Sequence, residues 1–196
     1  MEGVAIMNTM TGKSTSRSRY ETSTLAFYMI SIIHDNPLLP LFRNPYKLLE
    51  VAGLKEGQNV LEVGCGPGYF TIPAAKIVGP KGFVYAIDVN PRAIKRVQKK
   101  IEKEGIKNAR GILTNAASTG LPDGSINLAF VFGLRYIAGG LQNLMAELHR
   151  VLNAGGILSF ERTRGSEKEL ITEVSGLGFT YLSKQGRILS FTNQAQ

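Results

Sequence analysis

Residues 60–70 read Val60-Leu61-Glu62-Val63-Gly64-Cys65-Gly66-Pro67-Gly68-Tyr69-Phe70. Val60, Leu61 and Val63 make the end of a short buried strand over 59–63. Three glycines at alternate positions follow, and from Tyr69 the pattern becomes helical up to Val78, where Gly79-Pro80 stops it. Glycine lets the backbone take positive φ and pass close to a ligand without a Cβ in the way. In open α/β sheets the ligand crevice lies at the carboxyl ends of the strands, which is where this bare turn falls. Its spacing narrows the choice of ligand. The dinucleotide fingerprint Gly-x-Gly-x-x-Gly needs a glycine where Tyr69 stands, and a phosphate loop needs a Gly-Lys-Ser/Thr that is absent.

Outward from the turn, strand and helix signals alternate. Strands are expected over 83–88, 109–114, 126–132 and 156–160, and helices over 91–104, 141–152 and 167–177. The helix over 91–104 shows the apolar stripe Ile94, Val97 and Ile101. This alternation predicts an α/β fold: a three-layer, doubly wound, mainly parallel sheet of about seven strands. The last two strands, 179–183 and 187–192, are separated only by Lys184-Gln185-Gly186. They must form an antiparallel hairpin, because a parallel pair needs a crossover of about a dozen residues. Asp88 closes the strand after the glycine turn, 20 residues beyond Gly68. A carboxylate there can accept hydrogen bonds from both hydroxyls of a ribose, in either a dinucleotide or another nucleoside ligand.

These stretches resemble class I S-adenosylmethionine-dependent methyltransferases. Glu62 to Gly68 resembles the first motif of that family. Gly111 to Pro122 (GILTNAASTGLP) resembles the segment that meets the adenine, and Glu147 to Leu158 resembles the segment written RVLKPGG. The likeness runs from about Asn44 to the end, and the terminal hairpin matches the family's reversed last strand. Within the family, the type 11 group that includes quinone-biosynthesis methyltransferases looks closest. The resemblance implies S-adenosyl-L-methionine as cofactor and S-adenosyl-L-homocysteine as product. It implies Glu62, Gly64, Cys65, Gly66 and Gly68 at the methionine end, Asp88 and Val89 at the ribose and adenine, Asn115 and Ala116 at the adenine, and Phe132 near the sulfonium. Asn115 stands where many members carry Asp, although its side-chain oxygen can still accept a bond from the adenine amino group. Asn127 replaces the Asp that usually opens the fourth strand, and Gly133-Leu134-Arg135-Tyr136 lacks the histidines often found there.

No general base can be read from the sequence; His34 and Tyr136 are the candidate catalytic groups. Residues 1–20 read as a flexible tail, 21–53 as helices covering the active site, and 54–196 as the cofactor-binding domain. The apolar run Leu25 to Ile33 is too short to span a bilayer, and no small-residue cleavage site follows it, so a cytoplasmic protein is expected. One cysteine and two histidines far apart give no metal-ligand spacing, and no metal is expected. Net charge is +8, and residues 92–110 hold eight basic side chains against two acidic ones. A solvated helix face explains that run without a nucleic-acid partner, since no aromatic residues are interleaved with the lysines. The expected activity is methyl transfer to a small-molecule acceptor. The alternatives are an RNA or protein methyltransferase that uses the basic face, and a non-catalytic cofactor-binding protein.

Overall fold

Asn44 separates two helices. Its side-chain oxygen accepts hydrogen bonds from the amides of Tyr46 and Lys47, and Pro45 takes the first helical position, where no donor is needed. Before it lies the short α1 (Leu39–Phe42), and after it α2 (Pro45–Val51). The computed structural model describes residues 29, 31–32, 36, 38–133, 137–163 and 165–194. Most of the expected helix before residue 34, and all of the expected tail, lie outside these residues.

The remaining elements follow the alternation expected from the sequence. They are β1 (Asn59–Val63), α3 (Thr71–Val78), β2 (Phe83–Asp88), α4 (Pro91–Lys103), β3 (Ala109–Leu113), β4 (Ile126–Val131), α5 (Leu141–Val151), β5 (Leu152–Glu161), α6 (Glu167–Ser175), β6 (Phe179–Gln185) and β7 (Ile188–Asn193). They form one seven-stranded sheet in the order β3-β2-β1-β4-β5-β7-β6. Strands β1 to β5 are parallel, and β7 runs antiparallel between β5 and β6.

Successive side chains of each strand alternate between two cores. Val60, Val84, Leu128 and Phe130 pack beneath α2, α3 and α4 with Leu49, Ala74, Val78 and Val97. Leu61, Ile87, Ala129 and Val131 face the other way, against Leu144, Leu148 and Val174 of α5 and α6. This is why β1, β2 and β4 are apolar at nearly every position: a parallel sheet is covered on both faces. Burying each such Val, Leu or Ile contributes about 1.5–3 kcal/mol. The sheet winds outward from β1 in one direction and from β4 in the other, so a crevice opens at their carboxyl ends. The glycine turn fills one side of that crevice.

Most boundaries lie within two residues of the sequence reading; the start of β5 lies further off, and the hairpin turn shifts with its strands. Strand β5 begins at Leu152, which pairs with Ile126, rather than at Gly156, and the β4–β5 register shifts between Ile126 and Leu128. The hairpin turn is Gly186-Arg187, because β6 continues through Gln185. No helix among the described residues is long and apolar enough to cross a membrane.

Candidate functional site

The amides of Gly64 and Cys65 both donate to the carbonyl of Ile87, at 2.9 and 3.0 Å, so the turn after β1 is fastened to the end of β2. Gly64, Gly66 and Gly68 all lie at positive φ, at 73°, 51° and 80°. Their surroundings differ. A Cβ on Gly66 would meet nothing within 4 Å, so open space lies on that side of the turn. A Cβ on Gly68 would come within 3.1 Å of Val97 Cγ2 on α4. Gly66 therefore leaves room beside the loop, while Gly68 lets two helices approach.

Asp88 ends β2 facing this turn. Its Oδ2 accepts from the amide of Gly66 at 2.9 Å and its Oδ1 from the amide of Asn90 at 2.8 Å. Burial pushes its carboxyl above the usual carboxylate range, and the Asn90 and Gly66 amides pull it back. Each oxygen keeps lone-pair capacity for a further donor. Val89 beside it is 36% exposed and leaves apolar surface uncovered next to Asp88. Asn90 then caps α4 through its side-chain oxygen, which accepts from the amide of Arg92 at 2.9 Å.

Glu62 lies beneath the turn, only 2% exposed, and its Oε2 accepts from Thr71 Oγ1 at 2.6 Å. Burial raises its carboxyl to about 8; the Thr71 hydroxyl and Lys100 oppose that rise, and Asp88 adds to it. Cys65 is buried, and burial pushes its thiol well above the ordinary range, with Glu62 and Asp88 adding to the effect. This environment suits packing in a tight turn and disfavours a nucleophilic thiolate.

The loop after β3 carries Asn115, which is exposed, and Ala116, which is buried. Asn115 Oδ1 accepts from the amide of Ala117 at 2.9 Å, which fixes the oxygen end of that side chain and uses part of its accepting capacity. Phe132, just past β4, is buried with its ring 5.4 Å from Phe70 and 5.1 Å from Phe130. The Arg43 guanidinium lies 5.4 Å over the Phe70 ring, and Tyr69 Oη donates to the Arg43 carbonyl. An aromatic wall thus stands beside the glycine turn, with the segment between α1 and α2 against it.

The structure brings Glu62, the three glycines, Cys65 and Asp88 together around one turn. His34 and Tyr136 lie outside the described residues. Sequence reasoning missed Thr71, Arg43, Glu161 and Glu147. Of these, only Glu147 had a local signal, its spacing of three from Arg150, which puts the two on one helix face. Asn127 now has a structural role, since its Oδ1 accepts from the amide of Asn59 at 2.7 Å and ties β4 to the start of β1. Among the described residues, no group of three or more His, Cys, Asp or Glu side chains is placed to hold a metal ion.

A family model described as methyltransferase domain matches residues 54–189. The chain is 34% identical over 105 residues to the demethylmenaquinone methyltransferase of Geobacillus stearothermophilus, covering 53% of this chain and 44% of that one. It is 29% identical over 142 residues to the ubiquinone/menaquinone biosynthesis C-methyltransferase UbiE of a Marinomonas species, covering 71% and 56%. The chain thus spans about half the length of these relatives. Among solved structures, it is similar to a SAM-dependent methyltransferase from Aquifex aeolicus, with a TM-score of 0.69 and 27% identity over 85% of this chain and 96% of that one.

Proposed function

We propose that this chain, which belongs to the methyltransferase-domain family, binds S-adenosylmethionine in the crevice beside Gly66 and Asp88 and transfers its methyl group to a small, apolar acceptor of the quinone class. The observation that carries this reading is the pairing of Asp88 with the bare side of the turn. One carboxylate holds Gly66 in place and still has capacity for two hydroxyl donors, next to open space that a Cβ would intrude on. The donor set fits an adenosyl amino acid: a carboxylate for the ribose, the apolar Val89 for the adenine face, and a buried carboxyl, Glu62, on the methionine side.

When bound, the cofactor supplies an already activated methyl group on a sulfonium. The protein has to align the acceptor, exclude water and, for a carbon or oxygen acceptor, take up a proton. Asp88 and Val89 orient the nucleoside, with Asn115 and Ala116 at the base. Glu62 and Thr71 tie the end of β1 to α3 and so hold the turn against the ligand. Phe132 and Phe70, backed by the fully buried Phe130, give the transfer side an apolar wall, which suits an aromatic acceptor better than a charged one. Residues 21–53 cover this side in the same reading, and His34 and Tyr136 stay as proton-acceptor candidates. The acceptor class rests on the quinone-related names of the relatives. The single, buried cysteine is in keeping with a cytoplasmic setting.

Calorimetry with S-adenosylhomocysteine tests the cofactor half. Binding in the micromolar range is expected, with Asp88→Asn weaker by about 10–100-fold, as for loss of charged hydrogen bonds. No uptake by the parent chain overturns the reading. Transfer of labelled methyl from the cofactor to dithionite-reduced demethylmenaquinone tests the acceptor half. A second reading, methylation of RNA, is favoured only by the exposed basic residues of α4. It predicts RNA affinity that falls steeply with salt.

A further inference from the structure

Glu147 sits on the inner side of α5, 8% exposed. A buried carboxylate must find donors or become neutral, and this one finds four. Its Oε1 accepts from the amide of Thr119 at 2.7 Å, from Thr119 Oγ1 at 2.6 Å and from Arg150 Nη2 at 2.7 Å. Its Oε2 accepts from Arg150 Nε at 2.9 Å. Burial alone would raise its carboxyl, but the Arg150 and Thr119 bonds outweigh burial and hold it below the usual range. Arg150 in turn is paired with Asp123. Glu147 is therefore a fixed anion, locked from both sides.

What it fixes is the loop after β3. Thr119 lies four residues beyond Asn115, and the loop between them closes on itself. Thr114 Oγ1 donates to the Ser118 carbonyl at 2.8 Å, and the amide of Ser118 donates to the Asn115 carbonyl at 2.9 Å. The amide of Leu121 donates to Thr119 Oγ1 at 3.2 Å. The amide of Thr114 donates to the Asp88 carbonyl at 3.1 Å, so the start of the loop is attached to β2 and its far end to Glu147. Gly139 packs on it from above; a Cβ there would lie 3.1 Å from Ala117 Cβ and 3.5 Å from Asn115 Oδ1. The Ala117 amide needs an oxygen, so it also sets which end of the Asn115 side chain is the acceptor.

We infer that Glu147 is a positioning residue for nucleobase specificity. Acting through Thr119, it holds the Asn115–Ala116 segment where a base with a 6-amino donor is accepted and a base with a 6-oxo acceptor is refused. This rests on the cofactor reading above. Its physical basis is that a site built around a fixed acceptor rejects a ligand presenting a second acceptor, but only while the first cannot swing away.

The test uses the full chain and two probes that differ only at one edge of the base, S-adenosylhomocysteine with a 6-amino donor beside an N1 acceptor and S-inosylhomocysteine with a 6-oxo acceptor beside an N1–H donor. Calorimetry is run on the parent, Glu147→Gln, Glu147→Ala and Thr119→Val. The parent is expected to prefer the adenosyl probe by about 100-fold. In Glu147→Gln the preference narrows by about tenfold, because adenosyl affinity falls while inosyl affinity hardly changes. Thr119→Val, which keeps the amide bond and loses the hydroxyl bond, narrows it by a smaller factor. A structural role alone would lower both affinities equally and leave their ratio untouched, and that result overturns the inference. So does a parent chain that binds both probes equally. If Glu147→Ala fails to fold by circular dichroism, the Gln and Thr119 variants carry the comparison. No adenosyl binding by the parent overturns the cofactor reading and this inference with it. Normal parental binding with an unchanged ratio in the variants overturns this inference alone.

Discussion

Glu161, the last residue of β5, takes both terminal nitrogens of Arg43 across 118 positions of sequence, Nη1 donating to Oε1 at 2.9 Å and Nη2 to Oε2 at 2.6 Å. The amide of Gly133, past β4, donates to the same Oε2 at 2.8 Å. With the Tyr69 hydroxyl on the Arg43 carbonyl, four separate segments meet at one ion pair beside the aromatic wall. The two partners are not equivalent, since the Arg43 side chain keeps 32% of its exposure and Glu161 only 6%. Arg43→Ala strands a buried carboxylate and is expected to lower the unfolding free energy by about 2–3 kcal/mol. Glu161→Ala returns the guanidinium to water and should cost only about 1–2 kcal/mol. Urea denaturation reads both, and equal losses would contradict the asymmetry.

Glu62 gives the protein a pH dependence whose sign follows from its burial. The folded chain holds its proton up to about 8, against an ordinary value of 4.5 in the unfolded chain. The folded form therefore binds that proton more tightly, and the stability it contributes is complete below pH 4.5 and lost as pH rises towards 8. Urea unfolding at pH 5.5, 7 and 8.5 should show falling stability, and Glu62→Gln, which keeps the shape and an acceptor for Thr71, should flatten the slope. A cationic ligand next to the turn favours the ionised form. Uptake of S-adenosylmethionine should then release a proton near pH 7, visible as a calorimetric enthalpy that changes with the buffer's ionisation heat. An identical enthalpy in all buffers would contradict this.

The basic face of α4 should be dispensable for small-molecule chemistry. Lys95, Lys99 and Lys103 are exposed, on the side of the helix opposite the buried Ala93, Val97 and Ile101. Changing all three lysines to Glu is expected to leave affinity for S-adenosylhomocysteine within about twofold, because exposed charges at a distance are screened in physiological salt. Turnover of a quinone acceptor should be unaffected as well. A large loss of turnover with cofactor affinity intact would instead favour a macromolecular acceptor that docks on this face.

What could be read from the sequence was what depends on local pattern. The apolar runs of β1, β2 and β4 follow from burial on both faces of a parallel sheet, and the glycine turn and Asp88 follow from their places at strand ends. The early start of β5 was hidden because Asn153-Ala154-Gly155-Gly156 has the composition of a turn. It is held extended by tertiary partners, Leu152 pairing with Ile126 and Asn193 Nδ2 donating to the carbonyls of Leu152 and Asn153. Arg43 with Glu161 and Glu147 with Thr119 were hidden for the same reason. Partners 118 and 28 positions apart leave no periodic trace, and only the fold brings them together. Thr71 likewise reads as an ordinary first-turn residue until Glu62 is seen beneath it.

The glycine turn offers the sharpest separation of folding from binding, because neighbouring glycines serve different ends. Gly66→Ala adds a methyl into open space, so its cost to the folded chain is the positive φ alone, about 1–2 kcal/mol. That methyl stands where the ligand is proposed to lie, and affinity for S-adenosylhomocysteine should fall by about 100-fold or more as close backbone approach is lost. Gly68→Ala carries the same backbone cost and also presses on Val97 Cγ2 from 3.1 Å. Overpacking of this kind adds about 1–3 kcal/mol, so this variant should be the less stable of the two. Its affinity, measured on the folded fraction at low temperature, should suffer less than that of Gly66→Ala. Thermal unfolding and calorimetry on the pair decide the matter. If Gly66→Ala binds like the parent, the open side of the turn is not where the cofactor lies.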